Sequence, residues 1–286
     1  MALQVYINGT FKDKSEASIS VFDHGLLYGD GVFEGIRAYS GDIFRCEEHI
    51  QRLYDSAKAI ALDIPMSQDE MIHAIQKTLD INELTNAYIR VIVTRGIGSL
   101  GLDPTKCDNP QIIIITDEIA LYPPEFYKKG LEVITVPTVR NNHNALSPKI
   151  KSLNYLNNTL AKIEGLQAGV IEAIMLNNQG YVAECTGDNI FIVSDETLFT
   201  PPPEAGILEG ITRQVVMDIA RKLGFEVREQ NLTRFDLYVA DEAFLTGTAA
   251  ELVPVVRIDS RDVGEGEPGP ITHKLLDEFR QLTGSE

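Results

Sequence analysis

Apolar and polar positions alternate at the start of the chain and then cluster at helical spacing. Leu3 to Ile7 reads as a strand, and Asn8-Gly9 after it is a strong hairpin signal. A second strand-like run, Ala17 to Phe22, precedes Asp23-His24-Gly25, and Gly29, Gly31 and Gly35 punctuate Tyr28 to Tyr39. Ile50, Leu53, Ala57 and Ile60 share one face of a helix predicted over Glu47 to Ala61. Ser67-Gln68-Asp69-Glu70 is a capping box that opens a second helix. Strands over Tyr88 to Thr94 and Gln111 to Thr116 complete an α+β unit.

Tyr122-Pro123-Pro124 is the linker candidate, and after it the pattern resets. The expected division is a smaller N-terminal domain over 1–121, a linker over 122–129 and a larger C-terminal domain over 130–286 that carries Lys151. Strands are predicted at Leu131 to Val136, Glu172 to Leu176, Tyr181 to Ala183 and Asn189 to Val193. A rigid turn, Pro201-Pro202-Pro203, leads to a helix over Thr212 to Leu223 that ends at Gly224, a typical glycine stop. Strands over Phe225 to Gln230, Glu242 to Thr246 and Val253 to Ile258 precede a helix after Pro270. Strands and helices mixed at irregular intervals read as two α+β domains, not a doubly wound sheet.

Lys151 lies in Ser147-Pro148-Lys149-Ile150-Lys151-Ser152-Leu153-Asn154-Tyr155. Pro148 keeps helical geometry out of the run before it, and Leu153, Leu156, Leu160 and Ile163 follow at the spacing of a packed helix. An amine held near apolar residues and a helix N-terminus is pushed toward its neutral, nucleophilic form, whose usual use is a Schiff base with a carbonyl. Taken singly, the position favours an ordinary surface lysine.

The charge balance narrows the partners. With 25 basic against 42 acidic residues, the formal net charge is −17, which argues against nucleic acid or an anionic membrane as main partner. An anionic small ligand stays possible, because backbone N–H groups and single arginines bind anions in acidic proteins. The 44% hydrophobic content supports a full core. No secretory-signal pattern or bilayer-spanning apolar run is seen, and Cys46, Cys107 and Cys185 are scattered, which suggests reduced thiols and a cytoplasmic location. The histidines show no metal-ligand spacing, so no metal is expected.

Gly96-Ile97-Gly98-Ser99-Leu100-Gly101 matches a dinucleotide fingerprint, but Leu102-Asp103-Pro104 follows where a helix should open. A loop that is flexible or lines a ligand is expected instead. Further features gain meaning only together. Gly210-Ile211-Thr212-Arg213 puts a glycine and a hydroxyl at a helix start, where orphan N–H groups would bind phosphate. Thr246-Gly247-Thr248-Ala249-Ala250 follows a strand as a second anion cradle. Glu184 stands among apolar neighbours and needs a cationic or hydrogen-bonding partner, such as a pyridinium nitrogen. Arg52 lies beside a buried helix face and could reach a phosphate. Each alone fits an ordinary structural role; with Lys151 they describe a pyridoxal phosphate site.

The chain resembles the fold-type IV pyridoxal-phosphate enzymes, and within them the branched-chain amino acid aminotransferases. Carrying the resemblance are Asp23 to Arg37, His49 to Leu53, Tyr88-Ile89-Arg90, Lys151 to Tyr155, Glu184 to Asn189, Gly210 to Arg213 and Gly247 to Glu251, in family order over nearly the whole chain. It implies a two-domain α+β fold with the cofactor between a smaller and a larger domain. It implies that Lys151 forms the Schiff base and shuttles a proton, Glu184 pairs with the ring nitrogen and Tyr155 meets the phenolic oxygen. Arg52, Gly210, Ile211, Thr212 and Thr248 would serve the phosphate, and Leu208 would pack on the ring. Tyr28, Phe33, Gly35, Arg37, Tyr88, Arg90 and Ala249 would contact substrate. The resemblance also implies a homodimer or a higher assembly of dimers, with leucine, isoleucine or valine and 2-oxoglutarate as substrates. Ser-Leu-Asn after Lys151 also looks like the D-amino acid aminotransferase version, and Lys149 rivals Lys151 on spacing to Tyr155. An aminodeoxychorismate lyase of the same fold, or a non-catalytic cofactor-binding scaffold that kept it, would also suit these residues.

Overall fold

The computed structural model describes residues 3–118 and 122–285. The chain divides into two compact units: the part before the undescribed residues 119–121 joined by Ile150–Asn154, and the remainder.

In the first unit, β1 (Gln4–Ile7) and β2 (Thr10–Asp13) form the expected hairpin. Asn8 and Gly9 both have positive φ, 49° and 89°, as a tight hairpin turn of matching twist requires. There follow α1 (His24–Tyr28), β3 (Gly31–Tyr39), β4 (Asp42–Ile43), α2 (Cys46–Ala59), α3 (Gln68–Ile81), β5 (Ala87–Thr94) and β6 (Gln111–Asp117). The strands make a six-stranded sheet in the order β2-β1-β6-β5-β3-β4, with all neighbours antiparallel. Ile50, Leu53 and Ala57 of α2 and Met71, Ile75 and Leu79 of α3 bury against Val32, Ile36, Ile89, Val91 and Ile114. Ser67 and Glu70 close the predicted capping box. No strand forms over Ala17–Phe22, because no strand among the described residues runs alongside it; Val21 and Phe22 are exposed. Gly96–Gly101 is irregular and leads to a single 3₁₀ turn, Pro104–Lys106, so no helix opens there.

The second unit contains α4 (Pro124–Lys129), β7 (Leu131–Val136), α5 (Leu156–Gln167), β8 (Glu172–Leu176), β9 (Val182–Cys185), β10 (Asn189–Ser194) and β11 (Thr197–Thr200). It continues with α6 (Ile211–Lys222), β12 (Val227–Glu229), α7 (Arg234–Tyr238), β13 (Glu242–Gly247), β14 (Glu251–Ile258), β15 (Arg261–Asp262) and α8 (Pro270–Thr283). The strands form a nine-stranded mixed sheet in the order β12-β11-β10-β13-β14-β7-β8-β9, with β15 on β14.

Three further expectations change. The linker expected over 122–129 is part of the second unit: α4 packs on β14, and Tyr122 is buried in the core with Phe126 and Tyr127 against it. The expected boundary at residue 121 lies outside the described residues. The C-terminal domain does not run unbroken from residue 130. Ile150–Asn154 lies antiparallel beside β3, with Phe33 N–H donating to the Lys151 carbonyl at 2.9 Å and Leu153 N–H to the Gly31 carbonyl at 2.9 Å. Lys151 therefore sits on an extended segment of the first unit, ahead of the helix start.

The third change is the rotation of α5. Leu156, Leu160 and Ile163, expected to pack, are 64%, 46% and 43% exposed. The helix turns Asn158, Ala161 and Gly165 inward instead. Small residues let a helix axis approach a sheet closely, and α5 lies on β7 and β8. No helix among the described residues is long and apolar enough to cross a membrane.

Candidate active site

In the first unit, the alternation of β3 sorts its residues to two faces. Val32, Glu34 and Ile36 face α2; Phe33, Gly35 and Arg37 face the other way, beside Tyr88 and Arg90 of β5, with Gly35 paired to Arg90 and Arg37 to Tyr88. A side chain at Gly35 would displace the Tyr88 ring, because a Cβ there would lie 2.1 Å from the tyrosine hydroxyl. That hydroxyl accepts a hydrogen bond from Arg90 Nη2 at 2.8 Å. The Phe33 ring contacts two cations: Lys151 Nζ lies 4.7 Å from its centroid and the Arg90 guanidinium 4.5 Å. The Lys151 backbone N–H donates to Ser56 Oγ at 3.2 Å, tying the lysine to α2 as well as to β3. Arg37 stacks on the Tyr39 ring at 4.7 Å. Tyr28 ends α1, whose N-cap Asp23 accepts from Gly25 N–H, and its ring meets that of His24 at 5.0 Å.

Arg52 does not stand free beside the helix. Its Nε and Nη2 donate to the two oxygens of Glu34 at 2.7 and 2.9 Å, and His49 Nδ1 lies 2.7 Å from the same carboxylate. Burial opposes charge on Glu34, but the Arg52 guanidinium and the hydrogen bonds from His49 and Arg52 prevail and hold its carboxyl down at about 2. Burial pushes the His49 imidazole down; Glu34 pulls against this, and the charges of Arg52 and Lys151 add to the lowering.

In the second unit, Glu184 is buried and held from four sides. Arg140 Nε and Nη2 reach its Oε1 at 2.9 and 2.8 Å, while Oε2 accepts from Asn189 Nδ2 at 3.2 Å and the Leu208 N–H at 2.9 Å. Arg140 is itself fixed by Asn157 Oδ1 at 3.1 Å and Asn158 Oδ1 at 3.3 Å. Asn189 Nδ2 also donates to the Leu208 carbonyl at 2.9 Å, joining Glu184 to the loop that leads into α6. That helix starts after Gly210 with no side-chain cap and no acidic residue in its first turn, and Thr212 is buried there. Its first N–H groups meet no side-chain acceptor of the usual capping kind. Thr248 and Ala249 lie in the tight turn between β13 and β14, closed by the Gly247–Glu251 pairing. Tyr155 is the N-cap of α5, its carbonyl accepting from Thr159. Lys149 is half exposed and pairs with Glu209.

The first unit thus brings Lys151 together with Phe33, Gly35, Tyr88 and Arg90, and the second joins Glu184 to Leu208, Gly210 and Thr212. Glu34, His49, Arg140 and Asn189 are further members that the sequence pattern did not single out. Glu34 carried a usable signal, a charge within the apolar strand Val32-Phe33-Glu34-Gly35-Ile36, the same signal that marks Glu184. Arg140 carried none, since it lies in an irregular polar stretch. Among the described residues, no group of three or more His, Cys, Asp or Glu could hold a metal ion.

The chain as a whole has relatives among known proteins. The family model for class IV amino-transferases matches residues 31–258. A Methanocaldococcus jannaschii protein, provisionally named a branched-chain-amino-acid aminotransferase, is 53% identical over 280 residues, 98% of this chain and 96% of its own. The crystal structure of the Escherichia coli branched-chain amino acid aminotransferase superposes with a TM-score of 0.96 at 38% identity, covering 100% of this chain and 97% of that one. A T.th. branched-chain amino acid aminotransferase complexed with N-(5'-phosphopyridoxyl)-L-glutamate gives 0.93 at 39% identity, covering 100% and 96%. Both the motifs and the matched length agree: the chain belongs to the class IV aminotransferase family, with the fold-type IV architecture.

Proposed function

We propose that this protein is a branched-chain amino acid aminotransferase that uses pyridoxal 5'-phosphate and moves the amino group of leucine, isoleucine or valine to 2-oxoglutarate by a ping-pong mechanism. The observation that carries this reading is the Phe33 ring with the Lys151 amine and the Arg90 guanidinium both against it. One strand face thereby offers an apolar surface and a cation beside the amine. A pocket that alternates between an alkyl side chain and a glutamate side chain needs that combination. A similar enzyme held with a phosphopyridoxyl group on L-glutamate supports the second substrate.

The residues fit the cofactor. The uncapped start of α6 with Thr212, the turn at Thr248 and the clamped guanidinium of Arg52 would hold its phosphate. Glu184, held by the Arg140 guanidinium, would pair with the ring nitrogen. Tyr155 and Leu208 would meet the ring's phenolic oxygen and face. When bound, pyridoxal phosphate supplies an electron sink and a carbonyl carbon that takes up and returns the amino group. Lys151 Nζ would hold the cofactor and would carry the proton taken from the substrate Cα. Tyr28, Arg37, Tyr88 and the Thr248-Ala249 turn would orient the substrate.

Exchanging Arg90 for Gln tests the pocket. The variant should lose about tenfold or more in kcat/KM for glutamate, the size of one charge-assisted hydrogen bond, and change little for leucine. Equal loss for both substrates would contradict the placement of Arg90 at the distal carboxylate.

We also propose a homodimer in the cytoplasm. Leu156, Leu160, Ile163 and Leu166 leave the outer face of α5 apolar, as a face covered by a second copy requires. The cysteines are free thiols, which suits a reducing compartment. Leu160→Glu should halve the mass seen by light scattering; a dimer unchanged by it would place the interface elsewhere.

A further inference from the structure

Behind the turn that joins β13 to β14 lies a buried acidic cluster to which the proposed mechanism gives no part. Glu172 and Asp188, both buried, bracket the hydroxyl of Tyr122, which donates to Asp188 Oδ2 at 3.0 Å and lies 3.5 Å from Glu172 Oε2. Glu172 is saturated: its Oε1 accepts from Ala173 N–H at 2.8 Å and from Thr186 N–H and Oγ1 at 2.9 and 2.6 Å, and its Oε2 pairs with Lys162 at 3.2 Å. Asp188 has no such cation among the described residues. Burial and the negative charge of Glu172 raise its carboxyl to about 7, against the Tyr122 hydrogen bond and the charge of Lys162, while Glu184 adds to the rise.

The other oxygen of Asp188 lies against the turn. A Cβ built on Gly247 would fall 2.0 Å from Asp188 Oδ1 and 3.2 Å from its Cγ, and the next neighbour, Ala250 Cβ, is 3.6 Å away. Of these neighbours only the aspartate crowds a side chain at Gly247, and the Tyr122 bond to its other oxygen restrains it from swinging aside. The neighbouring residue does the same for the first cradle, since a Cβ on Gly210 would fall 2.0 Å from Asn189 Oδ1. Asp188 closes the bend before β10 and Asn189 opens the strand, and each lies against the glycine of one cradle.

We propose that Asp188 is a positioning residue for the anion-binding turn Gly247–Ala250, seated through Tyr122 and Glu172 behind it, and that this contact is why position 247 is glycine. The inference rests on reading that turn as part of the cofactor site. Burial and the charge of Glu172 push the Asp188 carboxyl toward its neutral form, which lessens its repulsion of an anion at the turn.

The test is a double-mutant cycle on the full-length protein freed of cofactor, read as the dissociation constant for pyridoxal phosphate by fluorescence titration. Inorganic phosphate serves as competitor, and a thermal melt without ligand checks the fold. Gly247→Ala should weaken binding about 30-fold or more and Asp188→Ala about fivefold, because a displaced turn misplaces its donors. The double variant should bind no worse than Asp188→Ala, since the added methyl then has space, and Asp188→Asn should stay within about threefold of wild type. Losses that multiply in the double variant, or single variants that bind like wild type, would overturn the assignment. A wild-type protein that binds no pyridoxal phosphate would overturn the functional reading itself, and the inference with it.

Discussion

Lys151→Ala is expected to lower kcat/KM for leucine by roughly 10⁴ or more, since it removes both the covalent anchor and a general acid–base group, the latter alone contributing about 10²–10⁴. The fold should survive. The backbone groups of Lys151 make the bonds to Phe33 and Ser56, and they do not depend on the side chain. The amine itself rests on the Phe33 ring, a contact of about 1 kcal/mol at a half-buried position. Circular dichroism and the melting temperature should therefore stay close to wild type while turnover vanishes. Lys149→Ala is the matched control. That lysine is half exposed and paired with Glu209, and its loss should change turnover by less than about twofold, as for surface ion pairs generally. Comparable losses from both variants would show that the wrong lysine has been assigned.

Glu184→Gln is expected to act twice. It keeps the shape of the side chain but removes the charge that Arg140 neutralises, and both groups are almost fully buried. Leaving Arg140 unpaired should cost on the order of 3–5 kcal/mol of stability, the usual penalty for breaking a buried pair. The same change should lower kcat by roughly 10²–10³, comparable to losing a preorganised electrostatic partner. The two effects separate in the double variant Arg140→Gln with Glu184→Gln, where no charge is left uncompensated. Chemical denaturation should then show most of the lost stability restored, and the activity should stay low. Activity that returns together with stability would reduce Glu184 to a packing role.

The candidate motifs could be picked out of the sequence only as an ordered set of chemically distinctive residues. Glu184 in an apolar strand, Lys151 after Pro148 and the glycine before α6 each fit an ordinary role singly, and only their occurrence together in family order made them candidates. Glu34 stands in an apolar strand as Glu184 does, yet its meaning depends on Arg52 and His49 reaching it across 15 to 18 positions, and pairing at that range leaves no local pattern. Arg140 is less visible still, because an arginine in a polar loop looks solvated until the loop folds onto Glu184. The α5 stripe shows the opposite failure. Its leucines have the spacing of a core face, but spacing does not distinguish a core within the chain from a surface left for another molecule. Ala161 and Gly165, too small to stand out, set the inward face. Tyr122-Pro123-Pro124 looks like a hinge because proline disfavours regular structure before it. In the fold, Pro124 begins a helix, a position that proline suits, and Tyr122 is anchored by Asp188.

The assignment of this chain as a branched-chain L-amino acid aminotransferase stands or falls on a half-reaction. Purified protein loaded with pyridoxal phosphate is mixed with single amino acids, without any oxo acid, and the cofactor absorbance is followed. L-leucine, L-isoleucine, L-valine and L-glutamate should each convert the bound cofactor to pyridoxamine phosphate, with 2-oxoglutarate reversing the change, while D-alanine and D-glutamate leave it in place. Conversion by the D-amino acids with the L-branched-chain set inert, or no spectral change with any amino acid, would refute the assignment.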